Sequence, residues 1–336
     1  MTRVPIRDCV EDPILIQNWF PVCPIDQLED DTPLGLTVCD QSVVIWRSSG
    51  RLNAWKDQCA HRGAKLSLGK ICGDRLQCPY HGWEYNESGA CDLIPSDPNG
   101  RIPKRAKVLK VYRAVEHAGL IWVNLTDNAQ DIQSLAEFDN RDYGVVAAGP
   151  FEIETSALRM CENFLDAAHI PFVHDGLLGN SAFAEIPQYD VNSSDQGVYT
   201  DNVVVSIPDH GNIDNMIEAE FTYGTISPIT VYTARNSSGA SITTQRKVLM
   251  LAVRPVTETS CCAYFSLAWH GQHNERILAE IIDFDVRVLM QDKPIVESQK
   301  PKRLPLGQSE IHVKSDALTS AYRRYIKNSG VTFGTE

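Results

Sequence analysis

CAHRG at residues 59–63 and CPYHGW at residues 78–83 are the stretches on which the reading of this chain turns. They give Cys59-x-His61, sixteen intervening residues, then Cys78-x-x-His81. Each stretch holds one cysteine and one histidine, and Gly63, Pro79 and Gly82 break the chain into tight loops around them. Two such loops can surround a small metal centre from opposite sides, with backbone N–H groups pointing at sulfur. A structural zinc uses the same ligand types, normally as a cysteine pair followed by a histidine pair. A two-iron, two-sulfur cluster with two cysteines on one iron and two histidines on the other needs one of each from each loop. The mixed pairs favour the cluster over zinc.

The rest of the sequence fits a two-domain globular protein. A chain of 336 residues with 43% hydrophobic and 22% charged residues is neither disordered nor a single small module. Against 31 basic residues stand 43 acidic ones, and a net charge of −12 argues against nucleic-acid binding. No apolar run approaches the ~18 residues of a membrane span. Acids and prolines interrupt every apolar stretch near the N-terminus, so no signal segment is read there. Ten cysteines in such a chain point to the reducing cytoplasm. Residues 15–125 alternate in short β-branched runs between Gly/Pro/Asn/Asp turns, which predicts an all-β domain over residues 1–135. Residues 126–150 read as a polar linker. The second domain, 136–336, reads as α+β: a helix over 157–170, long strands over 196–270, a helix over 274–300, and a last helix capped by Asp316 and ended by Gly330. Residues 40–125 carry 13 basic and 8 acidic side chains. A basic module on an acidic body suits docking of an acidic electron donor.

A second constellation lies in CENFLDAAHIPFVHDG, residues 161–176, with Asn163, Asp166, His169 and His174. Asp166 and His169 share a helix face at i, i+3, where the carboxylate can orient the imidazole. His169 and His174 are five apart, roughly 140° around an ideal helix, so Pro171 must disturb the helix to bring them together. Two histidines and a carboxylate on one face of a ferrous ion leave positions open for O₂. Candidates for the carboxylate are Asp283, Asp285, Asp292 and Glu297, with Pro294 placed to distort the helix beside Asp292. Phe172, Val173, Leu177, Leu178 and strand residues of 221–232 and 248–268 are candidates to line a pocket. The remaining cysteines, Cys9, Cys23, Cys39, Cys72, Cys91, Cys161, Cys261 and Cys262, have no metal spacing and read as buried or incidental thiols.

The first motif, with AKLSLG and the strand 119–125, resembles the Rieske domain of the Rieske non-heme iron oxygenases over residues 55–125. Asn163-x-x-Asp166-x-x-His169-x₄-His174 resembles the iron motif of the same family, and MQDKPIVESQKP resembles its third-ligand segment, with Asp292 in the ligand place. The resemblance implies a [2Fe–2S] cluster on Cys59, His61, Cys78 and His81, and mononuclear Fe(II) on His169, His174 and Asp292. It implies an α+β helix-grip (START-like) catalytic domain with a curved antiparallel sheet. It also implies a head-to-tail C₃ homotrimer in which Asp166 bridges its own His169 and the neighbouring copy's His81. Asn163 would be a polar neighbour of the iron. The implied activity is that of a terminal oxygenase taking O₂ and electrons from NAD(P)H through a flavin/iron–sulfur reductase or ferredoxin. The Rieske tract is most similar to purine-alkaloid N-demethylases and the tail to alkaloid C–H hydroxylases, so oxidative N- or O-demethylation and hydroxylation of a small aromatic, heterocyclic or alkaloid substrate are both expected. Ring dihydroxylation is the next reading. An electron carrier or binding protein is the alternative of another class, but it would not need the second constellation.

Overall fold

The computed structural model describes residues 12–127, 130–209, 211–236, 246–307 and 309–336; Cys9 and His210 lie outside them. The chain divides into two units between Asp131 and Ile132. In the first, β1 (Phe20–Pro24), β2 (Leu34–Val38), β3 (Gln41–Ser48), β4 (Arg51–Lys56), β9 (Val111–His117) and β10 (Leu120–Asn124) form an antiparallel sheet in the order β1-β10-β9-β4-β3-β2. Three of its connections are two-residue hairpins: Cys39-Asp40, Ser49-Gly50 and Ala118-Gly119. Both residues of each have positive φ, the turn whose twist matches that of the strands it joins. Trp46 and Trp55, fully buried, meet edge to face at 5.1 Å in the core.

A second antiparallel sheet, β5 (Lys70–Cys72), β6 (Arg75–Gln77), β7 (Glu84–Asn86) and β8 (Cys91–Leu93), presents the metal motifs. The CAHRG loop leads into it and the CPYHGW loop joins β6 to β7. Its strands are only three residues long. They are anchored because Leu76, Tyr85 and Cys91 join Trp46, Trp55, Cys59 and Cys78 in one buried cluster.

The second unit is built on seven antiparallel strands. These are β11 (Tyr143–Ile153), β12 (Asn192–Ser194), β13 (Gly197–Asp209), β14 (Asn212–Ser227), β15 (Thr230–Asn236), β16 (Arg246–Thr257) and β17 (Ser260–His270), ordered β11-β17-β16-β15-β14-β13-β12. The supposed linker of 126–150 therefore contains structure: a short helix α1 (Ala136–Asp139) and most of β11, which pairs with β17 along its whole length. Its glycines, alanines and Pro150 hid it, because they favour turns or are indifferent to strands; β11 lies at the edge of the sheet and only Gly144 and Ile153 in it are buried.

Three longer helices complete this unit: α2 (Ala157–Leu165), α4 (Glu275–Ser298) and α5 (Ala317–Ser329), with a single turn, α3 (Ile170–Val173), between the first two. Ser156 accepts the Arg159 N–H and caps α2, and Asn274 caps α4 through the Ile277 N–H. Gly330, at φ 82°, closes α5 as expected. Asp316 precedes α5, but its carboxylate accepts the Val313 N–H rather than capping the helix. Helix α4 packs on β11 and β17 and buries Leu278, Ile282, Asp285, Leu289, Asp292 and Val296. Two aspartates thus interrupt an otherwise apolar stripe. Among the described residues no helix is long and apolar enough to cross a membrane.

A buried ion network ties α2 to α5. Arg159, 1% exposed, bonds Glu162 and Glu310, and Arg323 bonds the same two carboxylates. Removing one partner of a buried pair leaves charge uncompensated, at a typical loss of ~3–5 kcal/mol. Glu162→Ala is expected to lower unfolding free energy by about 3 kcal/mol in urea titration, and a loss under ~1 kcal/mol would show that solvent relieves the two arginines.

Candidate active site and metal centres

The two cluster loops are built alike. The Gly63 N–H bonds the Cys59 carbonyl at 2.9 Å, and the Gly82 N–H bonds the Cys78 carbonyl at 3.1 Å. Both glycines have left-handed φ, 74° and 70°, which lets each loop turn back on its own cysteine. These glycine N–H groups serve the loop; the donors aimed at sulfur are the Tyr80 and His81 N–H groups, which favour the Cys78 thiolate while burial pushes that thiol up. The Tyr85 hydroxyl reaches the Cys59 sulfur at 3.1 Å. His61 stacks flat on Trp83, with centroids 4.5 Å apart and planes 4° apart, and lies edge-on to His81 at 4.6 Å.

Ligand spacing separates the two fillings. Four ligands of one tetrahedral zinc, each ~2.0–2.3 Å from it, lie within about 4 Å of one another. No three of Cys59, His61, Cys78 and His81 bring ligand atoms within 4.8 Å of each other. Yet the cysteines interact as one pair and the histidine rings as another. A pair of cysteines and a pair of histidines held apart suits two irons, not one ion. The His61 Nδ1 is buried without a hydrogen-bond partner, the state of a nitrogen placed to ligate.

In the second unit, α2 stops at Leu165, short of the helix expected through 170. Asp166 is extended, at φ −88° and ψ 113°. It therefore does not share a helix face with His169; its Oδ1 accepts the Ala168 N–H at 2.8 Å. The chain then starts the new turn α3, with His169 as its N-cap and His174 as its C-cap. Pro171 sits in the first turn, where its missing N–H costs nothing, so it helps to start a helix rather than bending one. Placing the histidines at the two ends of one turn brings their Nε2 atoms to 3.2 Å. Gly179 locks the turn: a Cβ there would lie 2.4 Å from the Ile170 carbonyl oxygen.

Asp292 Oδ1 lies 3.3 Å from each Nε2. Three ligands at right angles about an ion, each ~2.1 Å away, are separated by about 3 Å, so the observed triangle fits one face of an octahedral site. The Gln291 Oε1 contacts His174 Nδ1 at 3.0 Å. As an acceptor it holds that nitrogen protonated and leaves Nε2 free to bind metal. Burial works to raise the Asp292 carboxyl, but the His169 and His174 imidazoles outweigh it and hold it at about 2. Burial works to lower His169, and Asp292 outweighs it, so that imidazole is raised. Asn163 Nδ2 reaches Asp292 Oδ1 at a long 3.4 Å, and both Asn163 Oδ1 and His169 Nδ1 are buried without a partner.

Of the other carboxylates weighed, Asp285 is buried but paired with Lys247 at 2.5 Å. Asp283 is an exposed partner of Arg287, and Glu297 accepts the Glu154 N–H. Pro294 lies within α4 without ending it. The triad faces a cavity of about 630 Å³. Leu177, Leu178, Phe221 and Phe265 line it as the sequence suggested, whereas Phe172 is 62% exposed and lies elsewhere. Arg235, Lys247, Trp269 and Phe284 also line it and were not foreseen, nor were Tyr85 and Gln291. The period-two pattern of β15–β17 marks two faces without saying which one meets the cavity. Among the described residues none of the other cysteines forms a disulfide, and all of those except Cys72 are buried.

Comparison with known proteins agrees with this geometry. Residues 18–113 match the Rieske [2Fe-2S] domain, and residues 153–330 match the vanillate O-demethylase oxygenase C-terminal domain. The chain is 34% identical to the methylxanthine N3-demethylase NdmB of Pseudomonas putida, over 96% of this chain and 92% of that protein. It is 32% identical to the methylxanthine N1-demethylase NdmA of the same organism, over 92% and 87%. The solved structure of NdmA with caffeine superposes with a TM-score of 0.80, covering 94% of this chain and 90% of that one at 30% identity. Dicamba monooxygenase, at 20% identity and a TM-score of 0.74, shares the fold over 94% of this chain and 97% of its own. The chain is a member of the Rieske non-heme iron oxygenases, an oxidoreductase that works with a [2Fe–2S] cluster and a mononuclear iron.

Proposed function

We propose that Cys59 and Cys78 hold one iron of the cluster, that His61 and His81 hold the other, and that His169, His174 and Asp292 hold the mononuclear iron. The observation that carries this is the triangle of three ligand atoms 3.2–3.3 Å apart at the wall of a largely apolar cavity. Bound there, iron supplies reductive activation of O₂ at the positions the triad leaves open, fed with single electrons by the cluster. The chain's own groups do the rest. Gln291 fixes the His174 tautomer, Asn163 steadies Asp292, and the cavity's aromatic side chains hold a flat substrate and exclude water.

The substrate is a small N-methylated heterocycle, oxidised at a methyl C–H. One oxygen atom enters the C–H bond, and the other leaves as water with two electrons and two protons. An N–CH₂OH product then breaks its C–N bond, giving N–H and formaldehyde. The names of the N-demethylase relatives support this choice over ring dihydroxylation. The electrons come from NAD(P)H through a separate flavin/iron–sulfur reductase or ferredoxin. Asp166 completes the path in a head-to-tail trimer, between His169 and His81 of a neighbouring copy. The unpartnered His169 Nδ1 and the exposed ring of His81 both leave room for that bridge.

Three outcomes test the assignment. Wild-type protein should carry three irons per chain, and Asp292→Ala two, with the visible spectrum of the cluster unchanged; loss of the cluster instead would overturn the division of ligands. Tyr85→Phe removes a hydrogen bond to the Cys59 sulfur and should lower the cluster potential in spectroelectrochemical titration. Asp166→Asn should keep all three irons yet lose at least about a hundredfold in formaldehyde release from N-methyl substrates with a reductase. Unchanged turnover in that variant is the result that would sink the relay.

A further inference from the structure

The cavity has a polar end that binding iron does not use. Arg235, Lys247 and Trp269 are direct cross-strand neighbours on β15, β16 and β17, and all three line the cavity. Two cations placed opposite each other on adjacent strands repel, so the row needs an acceptor. Asp285 supplies one to Lys247 at 2.5 Å. Arg235 makes no hydrogen bond or ion pair among the described residues; Asp209 acts on it only through charge. The Trp269 Nε1 is buried and also lacks an acceptor. Donors are therefore in excess. On the acceptor side, Asp285 is 5% exposed and its Oδ2 has no partner. A half-buried guanidinium with no protein acceptor beside a substrate cavity has its N–H donors available to a ligand.

We infer that this row is the recognition site for the substrate's polar edge, with Arg235 donating to a lactam or ureido carbonyl and Asp285 accepting from an adjoining N–H. The inference rests on the demethylase reading above and adds the chemical class. A carboxylate substrate is disfavoured, because Asp285 would repel it while Arg235 attracts it. A carbonyl next to an N–H matches both groups. The helix sets the span: Asp285 and Asp292 are seven residues apart on one stripe of α4, about 10 Å along its axis. A fused two-ring heterocycle with its methyl group at the triad reaches that far. Arg235 is thus a specificity residue that touches substrate, remote from the reacting bond.

The test uses three probes of one shape. 9-Methylhypoxanthine carries the carbonyl and the adjoining N–H on the ring remote from its methyl group, 1,9-dimethylhypoxanthine only the carbonyl, and 9-methylpurine neither. Binding to the iron-loaded protein is measured calorimetrically for wild type, Arg235→Met and Arg235→Lys, with the visible spectrum of the cluster reporting integrity. Wild type should prefer the two carbonyl compounds by about tenfold or more, and the N–H compound should bind tightest. Arg235→Met should abolish the carbonyl preference while leaving 9-methylpurine affinity within about twofold, and Arg235→Lys should restore part of it. A wild-type protein that does not favour the carbonyl compounds, or that binds none of the three, overturns the inference. So does an Arg235→Met variant that keeps the preference. The count of three irons and formaldehyde release are read separately, so failure here leaves the demethylase assignment to stand or fall by itself.

Discussion

Asp292 is the constraint around which the second unit is arranged. A carboxylate in the buried stripe of α4 is unfavourable alone, and two imidazoles within 3.3 Å make it tolerable. Meeting that need fixes several other features. Helix α2 must stop at Leu165 so that the chain can start a fresh turn, and the turn must be one turn long so that its ends bring both rings to one point. Gly179 must lack a side chain so that the following loop can close on Ile170. Gln291, next to Asp292 on the same helix, sets the tautomer of His174. The carboxylate and the group that orients one of its imidazole partners thus arrive together on one rigid element.

The first unit solves a different problem with repeated local geometry. Its two ligand loops use the same closure, a cysteine carbonyl bonded to a glycine N–H four residues on. The two are not identical: one places histidine two residues after cysteine and the other three. That offset, with backbone N–H groups and a tyrosine hydroxyl directed at the sulfurs, sets cysteines as one pair and histidines as another.

Much of this was legible in the sequence because it is local. Cys59, His61, Cys78 and His81 lie within 23 residues, and glycine and proline mark their loops. Asp292 was readable only through the resemblance of MQDKPIVESQKP to a family segment, since helix position by itself left Asp283, Asp285 and Glu297 open; the structure adds the pairing of Asp285 with Lys247. What escaped was non-local or balanced between two outcomes. Edge strand β11, with two glycines, two alanines and a proline among its eleven residues, does not read as a strand against a linker. Proline at 171 can bend a helix or begin one, and only the extended backbone at Asp166 decides. Arg235 and Lys247 look like ordinary surface cations until pairing turns both toward the cavity.

The sheet's opposite face carries a consequence of its own. One residue along from Arg235, Lys247 and Trp269 runs the row Ala234, Val248 and Ala268, buried against Leu135, Phe138 and Val145. Slipping β15 or β16 by one residue would exchange the two rows there, sending a guanidinium or an ammonium into that apolar layer. The small, greasy row therefore acts as a register lock for the polar one. It divides labour between the two sides of a single sheet: the outer side keeps the strands aligned, and the inner side is free to change residue by residue. New substrates become reachable by point substitution there, with neither the strand pairing nor the distant His169, His174 and Asp292 disturbed.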